Sequence, residues 1–136
     1  KRAKMSFNFK QKIERFKQMK RSLPIVVANT AKNHFLEGFR KGGFTDETFD
    51  PWAKRKAKAR RNAGRALLVD TGQLRRSIRT ITAMFNRIEV GSTGTKYAAR
   101  HNQGLDGMPK RQFIGNSGQL RKKIRKIIQQ QIKDIL

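Results

Sequence analysis

The sequence predicts an α+β fold: two N-terminal helices, a small antiparallel β-sheet with a central hairpin, a long basic loop and a C-terminal helix. Three observations predict it. Apolar residues recur at steps of three and four near both ends of the chain, the period of a helix with one buried face. Between them "SIRTITAM" and "RIEVG" alternate in character at every second residue, as strands do. Residues 44–66 carry neither period, and their charge is of one sign over 54–65, which reads as an exposed loop.

The elements follow in order. Phe9, Ile13, Phe16 and Met19 share one face of a first helix that starts near Ser6 or Asn8. Pro24 fits the first turn of a second helix with Ser22 as its N-cap, because the missing N–H would be unpaired there anyway. Val27, Ala31, Phe35 and Phe39 then line one face, and Gly42-Gly43 ends it. Phe49 and Trp52 are the candidate anchors of the loop. Ile78, Thr80, Thr82 and Met84 lie on one side of the next strand, Arg79, Ile81 and Ala83 on the other, and the chain turns at Phe85-Asn86. "TKYAARHNQG" is a short helix or turn ending at Gly104, and "GLDGMP" is loop. From Ser117 a closing helix sets Leu120, Ile124, Ile127 or Ile128, Ile132 and Ile135 on one face, with Arg, Lys and Gln opposite.

The 136 residues suffice for one domain with a modest core. Its parts are a helical region 1–43, an exposed basic loop 44–66, a motif-bearing β region 67–115 and a closing helix 116–136. Against 9 acidic residues stand 33 basic ones, a formal net charge of +24. Such an excess repels itself unless something acidic lies beside it, so a polyanionic or acidic partner is expected. The basic residues concentrate in blocks 1–21, 54–65 and 110–126; a solvated surface is the plainer reading of any one block. There is no cysteine, hence no disulfide or thiolate metal site. His34 and His101 stand apart from other ligand types, so neither a metal nor a cofactor is expected. No apolar run approaches the roughly 20 residues that span a bilayer, and no membrane association is expected.

"LLVDTGQL", residues 67–74, reads like the active-site strand of a retroviral-type aspartic protease. That chemistry needs two carboxylates sharing one proton on an apolar-flanked loop. Here Gly72 is followed by Gln-Leu-Arg-Arg-Ser, a polar, helix-compatible stretch. Asp70 with Gln73 three residues on instead matches a helix cap, in which the carboxylate accepts the Gln73 N–H. A cap favours the charged carboxylate, whereas a dyad needs one kept protonated.

The same triplet fits a longer pattern. "PWAKRK" at 51–56, "LLVDTGQLRRSI" at 67–78, "VGSTGTKYAARHNQG" at 90–104 and "MPKRQFIGNS" at 108–117 resemble, in order and spacing, the phage virion morphogenesis family, which includes tail-completion proteins of contractile-tailed and Mu-like phages. The family pattern is a Trp-containing loop, a leucine-rich run into Gly-x-Leu-Arg-x-Ser-Ile, a Val-Gly-x-Tyr-Ala-x-x-His segment and a closing Pro-x-Arg-x-Phe-Leu-Gly. Asn102 stands where many relatives have Gln, and Gln112 and Ile114 where Pro and Leu are usual.

The resemblance implies a non-enzymatic α+β subunit of the virion, at the head–tail junction or neck, made in the host cytoplasm. It would complete the tail or neck so that heads and tails join. Implied partners are other connector, neck or tail-terminator proteins and further copies of the chain in a homo-oligomeric ring, with a hexamer favoured. Asp70, Thr71, Gly72, Leu74 and Ile78 form the expected cap and structural motif: Gly72 permits an unusual φ, while Leu74 and Ile78 set the next strand on the core. Trp52, Tyr97, His101, Arg111 and Phe113 are the candidate subunit or partner contacts. Tyr97 and His101 are four apart and share a helix face, open to a polar contact at a subunit boundary or to core packing. Arg111 and Phe113 alternate on an extended segment, so that one buries while the other reaches a neighbour. Lys54, Arg55, Lys56, Lys58, Arg60 and Arg61 are candidate contacts to DNA or an acidic partner. A basic nucleic-acid-binding protein is the alternative function, although little aromatic interleaving and no known DNA-binding motif accompany the charge.

Overall fold

A computed structural model describes residues 3–54 and 72–136. Helix α1, Phe9–Lys41, is one 33-residue helix. Asn8 caps it by accepting the Gln11 N–H at 3.0 Å, and Gly42 ends it in a left-handed conformation at φ 77°. The expected division at Pro24, with Ser22 capping a second helix, is thereby corrected. Pro24 removes one hydrogen bond and crowds the preceding turn, at a cost of about 3 kcal/mol. On either side of it Met19, Leu23 and Val27 are buried, packed on Ile124, Ile127 and Ile135. Uncovering three such side chains would cost about 1.5–3 kcal/mol each, so packing keeps the helix continuous.

Two short strands follow, β1 (Gly43–Thr45) and β2 (Phe49–Pro51), paired antiparallel with Phe44 opposite Asp50. They correct the reading of the first part of residues 44–66 as loop. The cause is the register of the turn on α1: a Cβ at Gly38 would lie 2.6 Å from the Gly43 carbonyl oxygen, so only glycine lets β1 lie against the helix. Phe44 and Trp52 are buried while Phe49 stays exposed.

Helix α2 is a single turn, Gln73–Arg76. It leads into β3 (Ile78–Met84) and β4 (Arg87–Ser92), which pair antiparallel with Met84 opposite Arg87. The turn at Phe85-Asn86 is where the sequence placed it. A register shift between Thr80 and Thr82 leaves Ile81 as a bulge, so the strict alternation expected along β3 holds only up to that point. Among the described residues the strands form two separate two-stranded sheets, where one was expected. A two-stranded sheet needs a partner to be stable, and both β3 and β4 pack on α1.

Helix α3 (Ala98–Gln103) ends at Gly104, left-handed at φ 70°. Helix α4 (Gly118–Ile135) runs antiparallel to α1: His34 meets its first turn at Ser117, and Lys12 Nζ donates to the carbonyls of Ile135 and Leu136 at 3.0 and 3.1 Å. Those C-terminal carbonyls favour a cation. The core gathers on the C-terminal half of α1, where Ala31, Phe35 and Phe39 meet Phe44, Trp52, Leu74, Ile78, Phe113 and Leu120. The other half differs. Phe9, at 68% exposed, Ile13 and Phe16 project an apolar stripe into solvent.

Candidate functional site

The motif segments converge around Phe39. Its ring meets Trp52 edge-on at 5.5 Å and Phe113 at 5.6 Å. Two side chains then cross-link the Trp segment and the closing segment in opposite directions. Trp52 Nε1 donates to the Gln112 carbonyl at 2.7 Å, and Arg111 Nε and Nη2 both donate to the Ala53 carbonyl at 3.0 and 2.9 Å. Arg111 is 8% exposed and Phe113 2%. Both are therefore buried within the subunit rather than alternating in burial, and Trp52, Arg111 and Phe113 meet partners of their own chain.

Helix α3 holds the closing segment from the other side. Asn102 Oδ1 accepts the N–H groups of Phe113 and Ile114 at 2.9 and 3.1 Å, and the His101 carbonyl accepts the Arg111 N–H at 2.8 Å. Without Asn102 the Phe113 and Ile114 donors would lack that acceptor in a partly buried segment, a role that its residue type alone did not reveal. The nearest sequence signal was its departure from the usual Gln. Tyr97 and His101 do share a face, their rings meeting edge-on at 5.8 Å. Tyr97 also donates to Gln73 Oε1 at 3.0 Å, tying α3 to α2. Burial, then the Arg111 charge, lowers the His101 pKa below its ordinary value.

Gly72 has φ 76° and precedes the first residue of α2, as the unusual backbone expected there requires. Leu74 and Ile78 are in the core. Asp70 and Thr71 lie outside the described residues, as do Arg55, Lys56, Lys58, Arg60 and Arg61; Lys54 is described and exposed.

A second polar cluster joins the β1–β2 turn to α4, and sequence reasoning missed most of it. Ser117 Oγ accepts the Leu120 N–H at 3.1 Å, capping α4, and donates to the Thr45 carbonyl at 2.6 Å. His34 Nε2 lies 3.0 Å from both Ser117 Oγ and the Thr45 carbonyl, and Lys123 Nζ lies 3.2 Å from its Nδ1. An ammonium can only donate, so the partners assign Nδ1 as acceptor and the proton to Nε2. Burial foremost, with Lys123 and Lys41 adding to it, lowers the His34 pKa. A serine beside a histidine is the start of a nucleophile pair. Here the serine is buried and committed to a helix cap, and a lysine stands where an orienting carboxylate would be needed. The cluster is structural.

Among the described residues no group of three or more His, Asp or Glu is placed to hold a metal, and no helix is long and apolar enough to cross a membrane. Fold and site together define a small α+β chain whose motif residues brace one another. The chain belongs to the phage virion morphogenesis family, whose model matches residues 10–133, from the first turn of α1 to the last turns of α4. No curated protein and no solved structure matches it. The family gives the protein a structural role in building the phage particle.

Proposed function

We propose that the protein completes the tail or neck of a phage particle and thereby enables heads and tails to join, acting without chemistry. The observation that carries this reading is the family match across nearly the whole chain. The architecture supports it, since the motif residues Trp52, Arg111 and Phe113 are buried and brace the subunit rather than line a reactive site. A braced subunit of net charge +24 suits docking onto acidic collar, neck or tail-terminator proteins, where complementary charge speeds encounter. Within the particle it forms a homo-oligomeric ring, a hexamer by preference.

The test is complementation. Purified protein added to a lysate of phage lacking this gene should restore infectious particles from the preformed heads and tails. No restoration, with the protein folded, would contradict the proposal. The charge also supports a second reading, DNA contact through residues 54–65, which the salt dependence of DNA binding separates from the first.

A further inference from the structure

An apolar groove of about 390 Å³ runs between the middle of α1, the β3–β4 turn and α4. Phe16 and Pro24 form one wall, Phe85 and Ile88 the end, and Ile128 and Ile132 the other wall. All of these but Pro24 are partly or largely exposed, Ile128 at 36% and Ile132 at 44%. Contiguous apolar surface of this kind is rarely left uncovered. Among the described residues no set of convergent polar groups lines it, as a small-molecule site would require; its shape and its stripe along α1 suit a helix lying in it.

The rim decides which helix. Lys20 falls on the same row of α1 as Phe16 and Pro24, and its Nζ sits 5.2 Å from the centre of the Phe85 ring. On α4, Arg121 and Arg125 precede Ile128 by seven and three residues and so share its face. Among the described residues none of these three cations is in an ion pair, and Glu89, the carboxylate nearest the groove in sequence on β4, is engaged by Arg87. A second copy of this chain would bring α1 or α4, both strongly basic, against that rim, and like charges across an interface cost heavily.

We infer that the groove receives an acidic amphipathic helix of another protein, its apolar stripe on Ile128, Ile132 and Phe85 and its carboxylates on Lys20, Arg121 and Arg125. This names a partner chemistry for the assembly role proposed above and rests on that role only for the partner's being a virion component.

The experiment titrates the full chain into a fluorescein-labelled acidic peptide of about four helical turns, with leucines spaced three and four apart and glutamate elsewhere, at about 0.15 M salt. The control peptide has the same residues reordered so that the leucines share no face. The wild type is expected to bind the striped peptide at least about tenfold more tightly than the control, and Ile128→Glu or Phe85→Glu to erase that preference. Arg125→Glu should weaken binding of both peptides. The two apolar substitutions lie on different elements at exposed positions, and thermal melting shows which variant remains folded. Equal binding of the two peptides, or an unchanged preference in a folded groove variant, would overturn the inference. So would self-association that Ile128→Glu abolishes without any peptide preference, which would give the groove to a second copy. Because these readouts involve no other virion component, they can fail while complementation succeeds, and the reverse.

Discussion

Lys123 Nζ stands 3.2 Å from Nδ1 of His34, while Ser117 Oγ and the Thr45 carbonyl occupy the other ring nitrogen. A neutral imidazole satisfies all of these contacts; a protonated one would set a second cation against Lys123. This makes stability depend on pH. The imidazole's ordinary pKa is 6.5 and folding lowers it, so below about pH 6.5 the unfolded chain binds a proton that the folded chain refuses, and stability falls with pH. His101 shifts in the same direction. Melting temperature should therefore drop between about pH 7.5 and pH 5, and His34→Gln should flatten part of that dependence. A pH-independent melt would show that neither histidine is held neutral.

Asn102 supports the closing segment through one oxygen. Asn102→Ala leaves the Phe113 and Ile114 N–H groups without that acceptor and should cost about 1–3 kcal/mol in denaturant unfolding. Asn102→Asp keeps the acceptor and should cost clearly less.

Gly38 lies inside α1, where alanine would normally stabilise a helix by about 1 kcal/mol relative to glycine. With the Gly43 carbonyl 2.6 Å from the added Cβ position, Gly38→Ala should instead destabilise, by about 1–3 kcal/mol. The sign of the change tests the approach of β1 to the helix.

Phe113 is 2% exposed and lies against Phe39, so Phe113→Ala should cost about 3–5 kcal/mol. Arg111→Lys loses the double donation to Ala53 that only a guanidinium makes. It too should lower the melting temperature, even though charge is kept.

If protein docking rather than phosphate binding is the main function, affinity for duplex DNA should be weak at physiological salt and no particular sequence preferred. A log–log salt slope near −0.9 per neutralised phosphate over many phosphates, with tight residual binding, would favour the DNA reading.

What was legible in the sequence was local. The Phe35–Phe39 stripe, the turn at Phe85-Asn86, the glycine ends of α1 and α3 and the Ser117 start of α4 depend on spacing or on one residue's conformational preference, and each is where the pattern put it. Pro24 misled because its local penalty is outweighed by side chains of α4 a hundred or more residues away. The β1–β2 pair escaped because its cause is the contact between Gly38 and Gly43, not an alternating pattern. At the candidate site the motifs pointed to Trp52, Arg111 and Phe113, but their inward direction and the part of Asn102 exist only once α3 and the closing segment meet. The exposed stripe from Phe9 to Phe16 shows the same limit: periodicity marks an apolar face without saying whether this chain covers it.

The most direct measurement is electron microscopy of a lysate from the parent phage with this gene interrupted. The account predicts DNA-filled heads accumulating beside separate or unfinished tails. Normally joined particles would contradict it.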